Sequence, residues 1–414
     1  MSIKRFSTVR TYLLKTSILI FVIVLYCNNR FKQHDSLLLK LNCSDSGRIE
    51  YESEKSLFKS RLNQRLFHIG QRFSHINIDK LLRIQSSSTQ SFTYYCSTHC
   101  GGWGDRLRGI TSAYILAVLL QRRFIIDMPY PCDLSNFLLP NLIDWTPIDR
   151  IGQQKKFLRV DLIHNAYGGE LASNVSSGNL TKFWLMYDNI YFTTNADFIS
   201  IVLKNPFFNL IKSEINIRST ESTQQELFPF IFELLFKPSS SVIAKVDPLF
   251  LKSSLHFNQS IICMYIRIGK NSALQGDIKI PYRQSIVQDM INFVDKNLSQ
   301  PYSSIFVTSD SDQIQQHIHQ HYGDDRVLST HGPIIHIDRF NQKTQSNETL
   351  YHGFLKVIAD FYFLGECDTF LRGRSGFSEW AGRRRRNEYS NLYVYCREIY
   401  RVTKQQWRRP YDQC

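Results

Sequence analysis

The sequence predicts an α/β protein built on a parallel sheet that helices cover on both faces. Two observations favour this class. From about residue 246, short apolar strands alternate with amphipathic helices through short connections, which is the pattern of parallel sheets. Nearer the N-terminus, Cys100–Met128 combines a glycine-rich loop, a helix to about Gln121 and a buried strand. Ligands of such sheets bind at the carboxyl ends of the strands, so a site is expected there.

The first thirty residues predict a membrane anchor. Lys4, Arg5 and Arg10 precede an apolar run that covers residues 13–27. These basic residues place residues 1–12 in the cytoplasm and the rest of the chain in the lumen. A cleaved signal peptide is the alternative, although no clear small-residue cleavage site follows the run. We therefore expect a single-pass type II protein of the Golgi or endoplasmic reticulum membrane.

Two further patterns are typical of a luminal protein. N-glycosylation acceptors of the form N-x-S/T occur at Asn42, Asn174, Asn179, Asn258, Asn297 and Asn347. An even number of cysteines lies beyond the anchor and predicts disulfides of undetermined pairing: Cys43, Cys96, Cys100, Cys132, Cys263, Cys367, Cys396 and Cys414. Cys96 and Cys100, with His99 between them, could form half of a zinc site. No second pair matches, so no metal is predicted.

Residues 28–90 are polar, serine-rich and weakly periodic, and we interpret them as a stem with a helix around Lys55–Arg72. Order is expected from near Phe92. Residues 133–245 are less regular, with a helix predicted at Phe228–Phe236 and strands at Val160–Ile163, Phe183–Met186 and Tyr191–Phe192. Beyond residue 246, strands are predicted at Ile261–Ile268, Ser304–Val307, Thr369–Leu371 and Leu392–Cys396, and helices at Arg283–Leu298, Asp312–Tyr322 and Thr349–Leu364.

The net charge of +14 favours an anionic partner, such as nucleic acid, a membrane surface or a phosphate-bearing substrate. Nucleic acid is not expected, because nothing resembles a zinc finger or an aromatic-interleaved RNA motif and the basic residues are spread along the chain. The exception is the run Arg383–Arg386, which is predicted to be solvated.

The loop before the first helix has the features of an anion site. Gly101, Gly102 and Gly104 let a ligand approach the backbone, and Arg106 and Arg108 follow on the first turn of the helix. A helix N-terminus offers unpaired N–H groups and a positive dipole end to an anion. The alternative is a tight turn into a core helix whose arginines point to water.

Polar residues also close the later strands. Arg267 follows apolar residues, and a buried guanidinium needs an anionic partner; a phosphate suits its fork, and a structural ion pair is the alternative. Asp310 closes the next strand. Ser375–Ser378 precedes a short helix and offers N–H groups to a phosphate, with a plain N-cap at Ser378 as the alternative.

Asp360 is a carboxylate inside an apolar helix, where it needs hydrogen-bond donors. The edge of a guanine base would supply two such donors. An internal ion pair is the alternative.

Together these residues resemble the GDP-fucose-dependent fucosyltransferases of the protein O-, α1,2- and α1,6-fucosyl superfamily. The similarity covers roughly residues 96–385 as scattered motifs whose order and spacing match. The matching segments are Gly101–Asp127, Tyr265–Gly269, Phe306–Asp310, Ala359–Leu364, Cys367–Phe370 and Arg374–Phe377.

The resemblance implies a GT-B fold, in which two Rossmann-like domains face a cleft, with inverting transfer of fucose to a glycan or glycoprotein and no catalytic metal or cofactor. Residues 91–245 would form the acceptor-side domain and residues 246–414 the GDP-sugar domain. By motif match, Arg267 would hold the β-phosphate, Asp360 the guanine, and Ser375 with Phe377 the diphosphate and fucose. Further donor contacts would come from Gly102, Gly104, Arg106, Asp310, Arg374 and Gly376.

Two positions depart from the family pattern. Tyr265 replaces a histidine, which removes one donor near the diphosphate. Asp105 stands where the protein O-fucosyl relatives carry an asparagine, and its carboxylate could act as a general base or repel phosphate. We therefore predict Arg267 and Asp105 as the catalytic residues.

Two rival functions remain open. Asp310-Ser311-Asp312 is a DxD sequence, which elsewhere holds a divalent metal and a sugar nucleotide, so a metal-dependent GT-A-type glycosyltransferase is the rival enzyme. An inactive glycan-binding protein that keeps the fold is the rival of a different class. Turnover of a sugar nucleotide discriminates between these functions.

Overall fold

The structure is a computed structural model that describes residues 56–147, 156–163, 175–218, 223–256, 260–269, 285–298, 303–338, 346–386 and 389–403. The predicted tail and anchor, residues 1–27, lie outside the described residues. Within the described residues, no helix combines the length and apolarity needed to cross a membrane.

The described residues form strands β1 (Ser91–Tyr95), β2 (Arg123–Asp127), β3 (Leu138–Pro140), β4 (Phe157–Asp161), β5 (Asn189–Thr193), β6 (Phe236–Pro238), β7 (Ile261–Ile266), β8 (Ser304–Ser309), β9 (Val327–Leu328), β10 (Thr369–Arg372), β11 (Leu392–Cys396) and β12 (Glu398–Arg401). The helices are α1 (Leu57–Arg72), α2 (Ile78–Ser87), α3 (Trp103–Leu119), α4 (Leu180–Trp184), α5 (Ile199–Val202), α6 (Asn209–Ile215), α7 (Gln224–Leu235), α8 (Ser240–His256), α9 (Ile286–Asn297), α10 (Asp312–Tyr322), α11 (Asn347–Leu364) and α12 (Gly376–Arg383).

The first sheet has four parallel strands in the order β2-β1-β5-β4. The helix α3 connects β1 to β2, and the sequence predicts this helix and the strand that follows it. Most of its side chains are buried, from Trp103 on the first turn to Leu119 on the last, because the helix packs between its sheet and the C-terminal half. The chain leaves it through Gln121, whose φ of 54° is left-handed and ends the helix.

The second sheet has six strands in the order β12-β11-β10-β7-β8-β9. All neighbouring pairs are parallel except β11 with β12, which run antiparallel. Every residue of β7 and β8 is buried, which is the pattern expected of central strands covered by helices on both faces. A small antiparallel pair, β3 with β6, lies outside these two sheets. The predicted mixed α/β class with parallel sheets is therefore confirmed.

The stem prediction is wrong for residues 57–87, which fold as α1 and α2. The predicted helix around Lys55–Arg72 is confirmed as α1, yet it packs into the core, where Phe58 is fully buried. Arg65 of α1 is also buried and pairs with Glu366 from the C-terminal half. The stem was predicted because the segment lacks apolar periodicity. A helix that buries an arginine as well as apolar residues shows little of that periodicity.

The prediction that Arg383–Arg386 is solvated is wrong for three of its four residues. Arg383, Arg384 and Arg385 are buried, and Arg386 is exposed. The guanidinium of Arg384 pairs with Glu233 of α7, with Nη2 2.9 Å from Oε1. The same guanidinium lies over the rings of Tyr362 and Phe232. A long-range partner therefore keeps this arginine inside the core.

The structure pairs several of the predicted luminal cysteines. Cys96 is bonded to Cys100, which confirms the disulfide over the zinc interpretation for that pair. Cys263 of β7 is bonded to Cys367, just before the neighbouring strand β10. Cys396 is disulfide-bonded as well. The glycosylation acceptors Asn297 and Asn347 are exposed.

Candidate active site

The glycine-rich loop ends as the N-terminus of α3. Gly101 has a φ of 86°, a left-handed conformation that favours glycine, and Gly102 is the N-cap. The side chain of Asp105 folds back, and its Oδ2 accepts a hydrogen bond from the backbone N–H of Gly102 at 3.2 Å. The carboxylate of Asp105 is thereby fixed at the opening of the helix, with its side chain 43% exposed.

A second helix N-terminus meets the first one. Gly104, on the first turn of α3, packs against the start of α12 so closely that an added Cβ would lie 2.6 Å from the carbonyl carbon of Gly376 and 2.7 Å from the nitrogen of Phe377. The space beside Gly376 is open except for Arg108, whose Nη2 would lie 4.0 Å from an added Cβ. Each helix follows a strand of a different parallel sheet, so the carboxyl edges of the two sheets meet here.

Ser375 and Tyr265 shape the start of α12. Ser375 is the N-cap, and its Oγ accepts hydrogen bonds from the backbone N–H of Phe377 at 3.2 Å and from the hydroxyl of Tyr265 at 3.1 Å. The ring of Tyr265 also stacks on Phe377, with 5.5 Å between centroids. Tyr265, the residue that departs from the family pattern, therefore supports this loop from the neighbouring strand β7. The predicted alternative role of Ser378 is not observed, since its Oγ donates to the carbonyl of Gly373.

Arg267 follows β7, which ends at Ile266, two residues earlier than predicted. The next two residues, Ile268 and Gly269, donate their backbone N–H groups to Oδ1 and Oδ2 of Asp310, each at 2.9 Å. Asp310 thus fixes the loop that carries Arg267. This use of Asp310 differs from the predicted donor contact, because both of its oxygens already accept hydrogen bonds from the protein.

Asp105, Arg108 and Arg267 form one electrostatic group. Burial raises the pKa of Asp105 above its ordinary value, and the positive charges of Arg108 and Arg267 oppose that rise. Arg108 Nη1 lies 3.7 Å from Asp105 Oδ1. Arg267, in the loop after β7, is therefore close enough to Asp105 in α3 for its charge to act on that carboxylate.

The predicted contact of Arg106 with the GDP-sugar donor is corrected by the structure. Its side chain is fully buried, and its guanidinium donates hydrogen bonds to the backbone carbonyls of Gly101, Tyr130 and Ile337. The guanidinium therefore braces the glycine loop against its surroundings and does not face an open site. Arg108, three residues from Asp105 along the helix, is the arginine that lies beside Gly376. The i, i+3 spacing is the sequence signal that could have identified it.

Asp360 has internal partners, which is the alternative that the sequence left open. Its Oδ2 accepts from Lys356 Nζ and Thr308 Oγ1, each at 2.7 Å, and its Oδ1 accepts from Thr330 Oγ1. The side chain is 7% exposed, so this is a buried ion pair with two hydroxyl donors. The carboxylate does not depend on a guanine edge for its hydrogen bonds, and its contact with a guanine stays a prediction.

The remaining predicted residues lie at the same edge of the second sheet. Arg374 is exposed and directly precedes the N-cap Ser375. The two aspartates of the DxD sequence have different structural roles: Asp310 fixes the loop that carries Arg267, and Asp312 begins α10. Among the described residues, no group of three or more His, Cys, Asp or Glu side chains could hold a metal ion.

Comparison with known proteins rests on structure, since no protein-family model and no curated protein sequence matches this chain. The chain is similar to an arginine-to-lysine mutant of Arabidopsis thaliana FUT1 in complex with GDP, with a TM-score of 0.52 and 14% sequence identity over 85% of this chain and 81% of that one. This chain has the FUT1 fold.

The chain is also similar to NodZ, an α-1,6-fucosyltransferase, co-crystallized with GDP, at a TM-score of 0.42 and 16% identity over 75% of this chain and 96% of that one. The structure of NodZ from Bradyrhizobium matches at a TM-score of 0.41 and 15% identity, with the same coverage. At those TM-scores the NodZ likeness adds nothing to the argument. The resemblance predicted from the motifs is confirmed by the FUT1 fold, at the level of the fold.

Proposed function

We propose that this protein is a glycosyltransferase that moves fucose from GDP-fucose to a hydroxyl of a glycan or glycoprotein. The observation that carries the proposal is the meeting of two helix N-termini, α3 at Gly104 and α12 at Gly376, beside Arg267. Helix N-termini and guanidinium groups are the donors that a diphosphate prefers. The similar FUT1 structure contains GDP, and the motif resemblance implies a GDP-sugar, so both favour a GDP-sugar as the diphosphate ligand.

The chemistry follows from where charge develops. Fucose departs as an oxocarbenium-like fragment while negative charge builds on GDP. Arg267 and the N–H of Gly376 would stabilise that charge, and such stabilisation is worth most in the transition state. Transfer with inversion then needs a base on the opposite side of the sugar. Asp105 is the candidate, because its raised pKa makes it a better proton acceptor than an ordinary aspartate.

Tyr265 restores part of what the family histidine would supply. Its hydroxyl positions Ser375, and its ring supports Phe377, so it acts on the diphosphate loop through its neighbours. Asp310 has the same kind of positioning role for Arg267. These contacts support an active site rather than an inactive glycan-binding protein that keeps the fold, because they hold the phosphate-facing groups in place.

We also propose that residues 13–27 anchor the chain in the Golgi or endoplasmic reticulum membrane, with the catalytic part in the lumen. The glycosylation acceptors and the disulfides support a luminal setting. Mass loss on glycosidase treatment and an intact N-terminal sequence in the purified protein would support this topology. A mature chain beginning after residue 27 would overturn the anchor and leave the luminal setting intact.

A panel of sugar nucleotides tests the proposed transfer. The purified full-length chain is incubated with GDP-fucose, GDP-mannose or UDP-galactose, with and without EDTA, and release of the nucleotide is followed. We expect release of GDP from GDP-fucose, with water accepting the fucose, and EDTA should leave this release unchanged. Loss of activity with EDTA and its return with Mn²⁺ would favour the DxD alternative. Absence of turnover with every donor would favour the glycan-binding alternative.

A further inference from the structure

A polar cavity of about 710 Å³ lies at the amino edge of the second sheet, on the side opposite the candidate active site. It is bounded by α1, by the end of α8, by the loop 365–368 that leads into β10, and by Arg385, Arg386, Ser390 and Asn391, which precede β11. Its volume falls within the range of small-molecule pockets, about 300–1,000 Å³. Nothing in the proposed transfer reaction uses this cavity.

Arg385 lines the cavity and also carries a buried donor without a partner among the described residues. Its side chain is buried, and its Nε and Nη2 donate to the backbone carbonyls of Cys367, Asp368 and Ser390 at 2.9, 2.6 and 2.8 Å. Its Nη1 is buried as well, yet it has no hydrogen-bond partner among the described residues. An unsatisfied buried donor of a charged group costs stability.

The hydroxyl of Ser253 is a second unsatisfied group in the same cavity. Ser253 is 1% exposed, and its Oγ has no hydrogen-bond partner among the described residues. A hydroxyl can both donate and accept, so this group suits a ligand that carries hydroxyls of its own. Ser253 of α8 and Arg385, which follows α12, therefore line one space, and each also carries a buried polar atom without a hydrogen-bond partner among the described residues.

The charge of the cavity is positive. Its described lining includes four arginines, Arg61, Arg65, Arg385 and Arg386, against two carboxylates, Glu366 and Asp368. Both carboxylates have partners within the protein. Glu366 forms an ion pair with Arg65, and Asp368 Oδ2 accepts a hydrogen bond from the N–H of Ile261 at 2.8 Å. Burial lowers the pKa of Arg385 to about 10, which still leaves it charged at neutral pH. The excess of positive charge favours an anionic occupant.

The lining also argues against a flat aromatic ligand such as a nucleotide base. Phe250 is the one aromatic residue among the described lining residues, and the guanidinium of Arg61 already lies 5.0 Å from its ring centroid. Most of the other lining residues carry hydroxyl, amide or charged groups. The ligand that matches this lining is polar throughout and carries a negative charge.

We propose that this cavity binds an anionic carbohydrate, a sugar acid or a sugar phosphate, through Arg385, Arg61 and Ser253. The anionic group contacts the arginines, and the sugar hydroxyls contact Ser253 and its polar neighbours. This binding is independent of the GDP-sugar site, because the two lie at opposite edges of the same sheet.

Isothermal titration calorimetry on the purified full-length chain tests the proposal. The probes are glucuronate, glucose 6-phosphate, neutral glucose and inorganic phosphate, all at one ionic strength. We expect one molecule of at least one charged sugar to bind, with glucose and inorganic phosphate at least about tenfold weaker, since each lacks one of the two kinds of contact. Which charged sugar binds more tightly distinguishes a sugar acid from a sugar phosphate.

Variants locate the binding. Arg61→Gln and Arg385→Gln should each weaken binding by about tenfold or more, because each removes a charge-assisted hydrogen bond. Ser253→Ala should weaken it less, and it removes no existing bond among the described residues, so it tests the site even if Arg385→Gln fails to fold. Arg83→Gln, an exposed arginine on α2, is the matched control and should bind like the parent chain.

Four results would overturn the proposal, and the last of them is full competition by GDP. One is the absence of binding by both charged sugars. Another is unchanged affinity in both Arg61→Gln and Ser253→Ala. The third is inorganic phosphate binding as tightly as glucose 6-phosphate, which would leave a simple anion site. Saturating GDP should not displace the charged sugar, and full competition by GDP would assign the binding to the donor site instead.

Discussion

Gly104 of α3 lies in direct contact with the backbone of Gly376 in α12, so the two helices that would hold a diphosphate meet at a pair of glycines. An added Cβ on Gly104 would lie 2.6 Å from the carbonyl carbon of Gly376, closer than real Cβ contacts allow. The atoms that would have to move are backbone atoms. The distance between the two helix N-termini is therefore set by the absence of a side chain at Gly104.

Gly104→Ala should separate the two helices and weaken both the fold and the donor site. We expect a loss of about 1–3 kcal/mol in the free energy of unfolding, which is typical of overpacking, together with weaker GDP binding. Urea unfolding and GDP titration measure the two effects. Gly70→Ala is the matched control, because nothing lies within 4 Å of its added Cβ in α1. That change should stabilise the helix by about 0.5–1 kcal/mol and leave GDP binding unchanged. Equal behaviour of the two variants would show that the helix contact is not tight.

Arg384→Ala should destabilise the protein, although this arginine lies in a run that looks solvated in the sequence. Its loss leaves Glu233 as a buried carboxylate whose one remaining ion-pair partner within the described part of the chain is Arg65, at 3.8 Å. Breaking a buried ion pair by removing one partner costs about 3–5 kcal/mol. Arg386→Ala, two positions further along and exposed, should change stability by less than about 0.5 kcal/mol. Urea unfolding of both variants decides this, and an unperturbed Arg384→Ala would mean that the pair with Glu233 is not formed.

The pKa of Asp105 predicts how activity and stability depend on pH. Because burial raises this pKa in the folded protein, the charged carboxylate disfavours folding above the folded pKa, and this effect is absent below the ordinary aspartate pKa. A base must be deprotonated, so donor turnover should fall as the pH drops through the raised pKa.

Asp105→Asn keeps an oxygen that can accept from Gly102 and removes the titration. We expect most turnover to be lost, together with the acidic fall in the pH–rate profile. We also expect a small gain in stability at neutral pH that disappears in acid, small because the side chain is 43% exposed. The matched control is Asp312→Asn, an exposed aspartate at the start of α10. A parent-like pH–rate profile in Asp105→Asn would exclude Asp105 as the base.

The elements with strong local patterns could be predicted from the sequence, and the partners of buried charges could not. The predicted bounds of α10 and β11 agree with the structure, because an amphipathic helix after a strand and a short apolar run both leave a local signal. Phe183–Met186 was predicted as a strand, but residues 180–184 form α4, and Phe183, Leu185 and Met186 are exposed. Four apolar residues in a row do not distinguish the two structures.

For the candidate site, the sequence predicted the glycine loop, Arg267 and Ser375 but not the internal partners of Arg106 and Asp360. Arg106 binds a carbonyl 231 positions away, and Asp360 accepts from Thr308 across 52 positions. A single sequence gives no signal for such pairs. The i, i+3 spacing of Asp105 and Arg108 was the one available signal. It places Arg108, and not Arg106, on the same side of the helix as Asp105.

Turnover of GDP-fucose by Arg267 variants tests the central claim most directly. The parent chain, Arg267→Ala, Arg267→Lys and the exposed control Arg83→Ala are compared at saturating donor, after thermal unfolding confirms that each is folded. We predict a loss of about a hundredfold or more for Arg267→Ala, because a phosphate contact that strengthens in the transition state is removed. Arg267→Lys should not restore turnover, since a point charge does not reproduce the guanidinium fork, and Arg83→Ala should match the parent. A folded Arg267→Ala chain with near-parental turnover would contradict the placement of the diphosphate between Arg267 and the two helix N-termini.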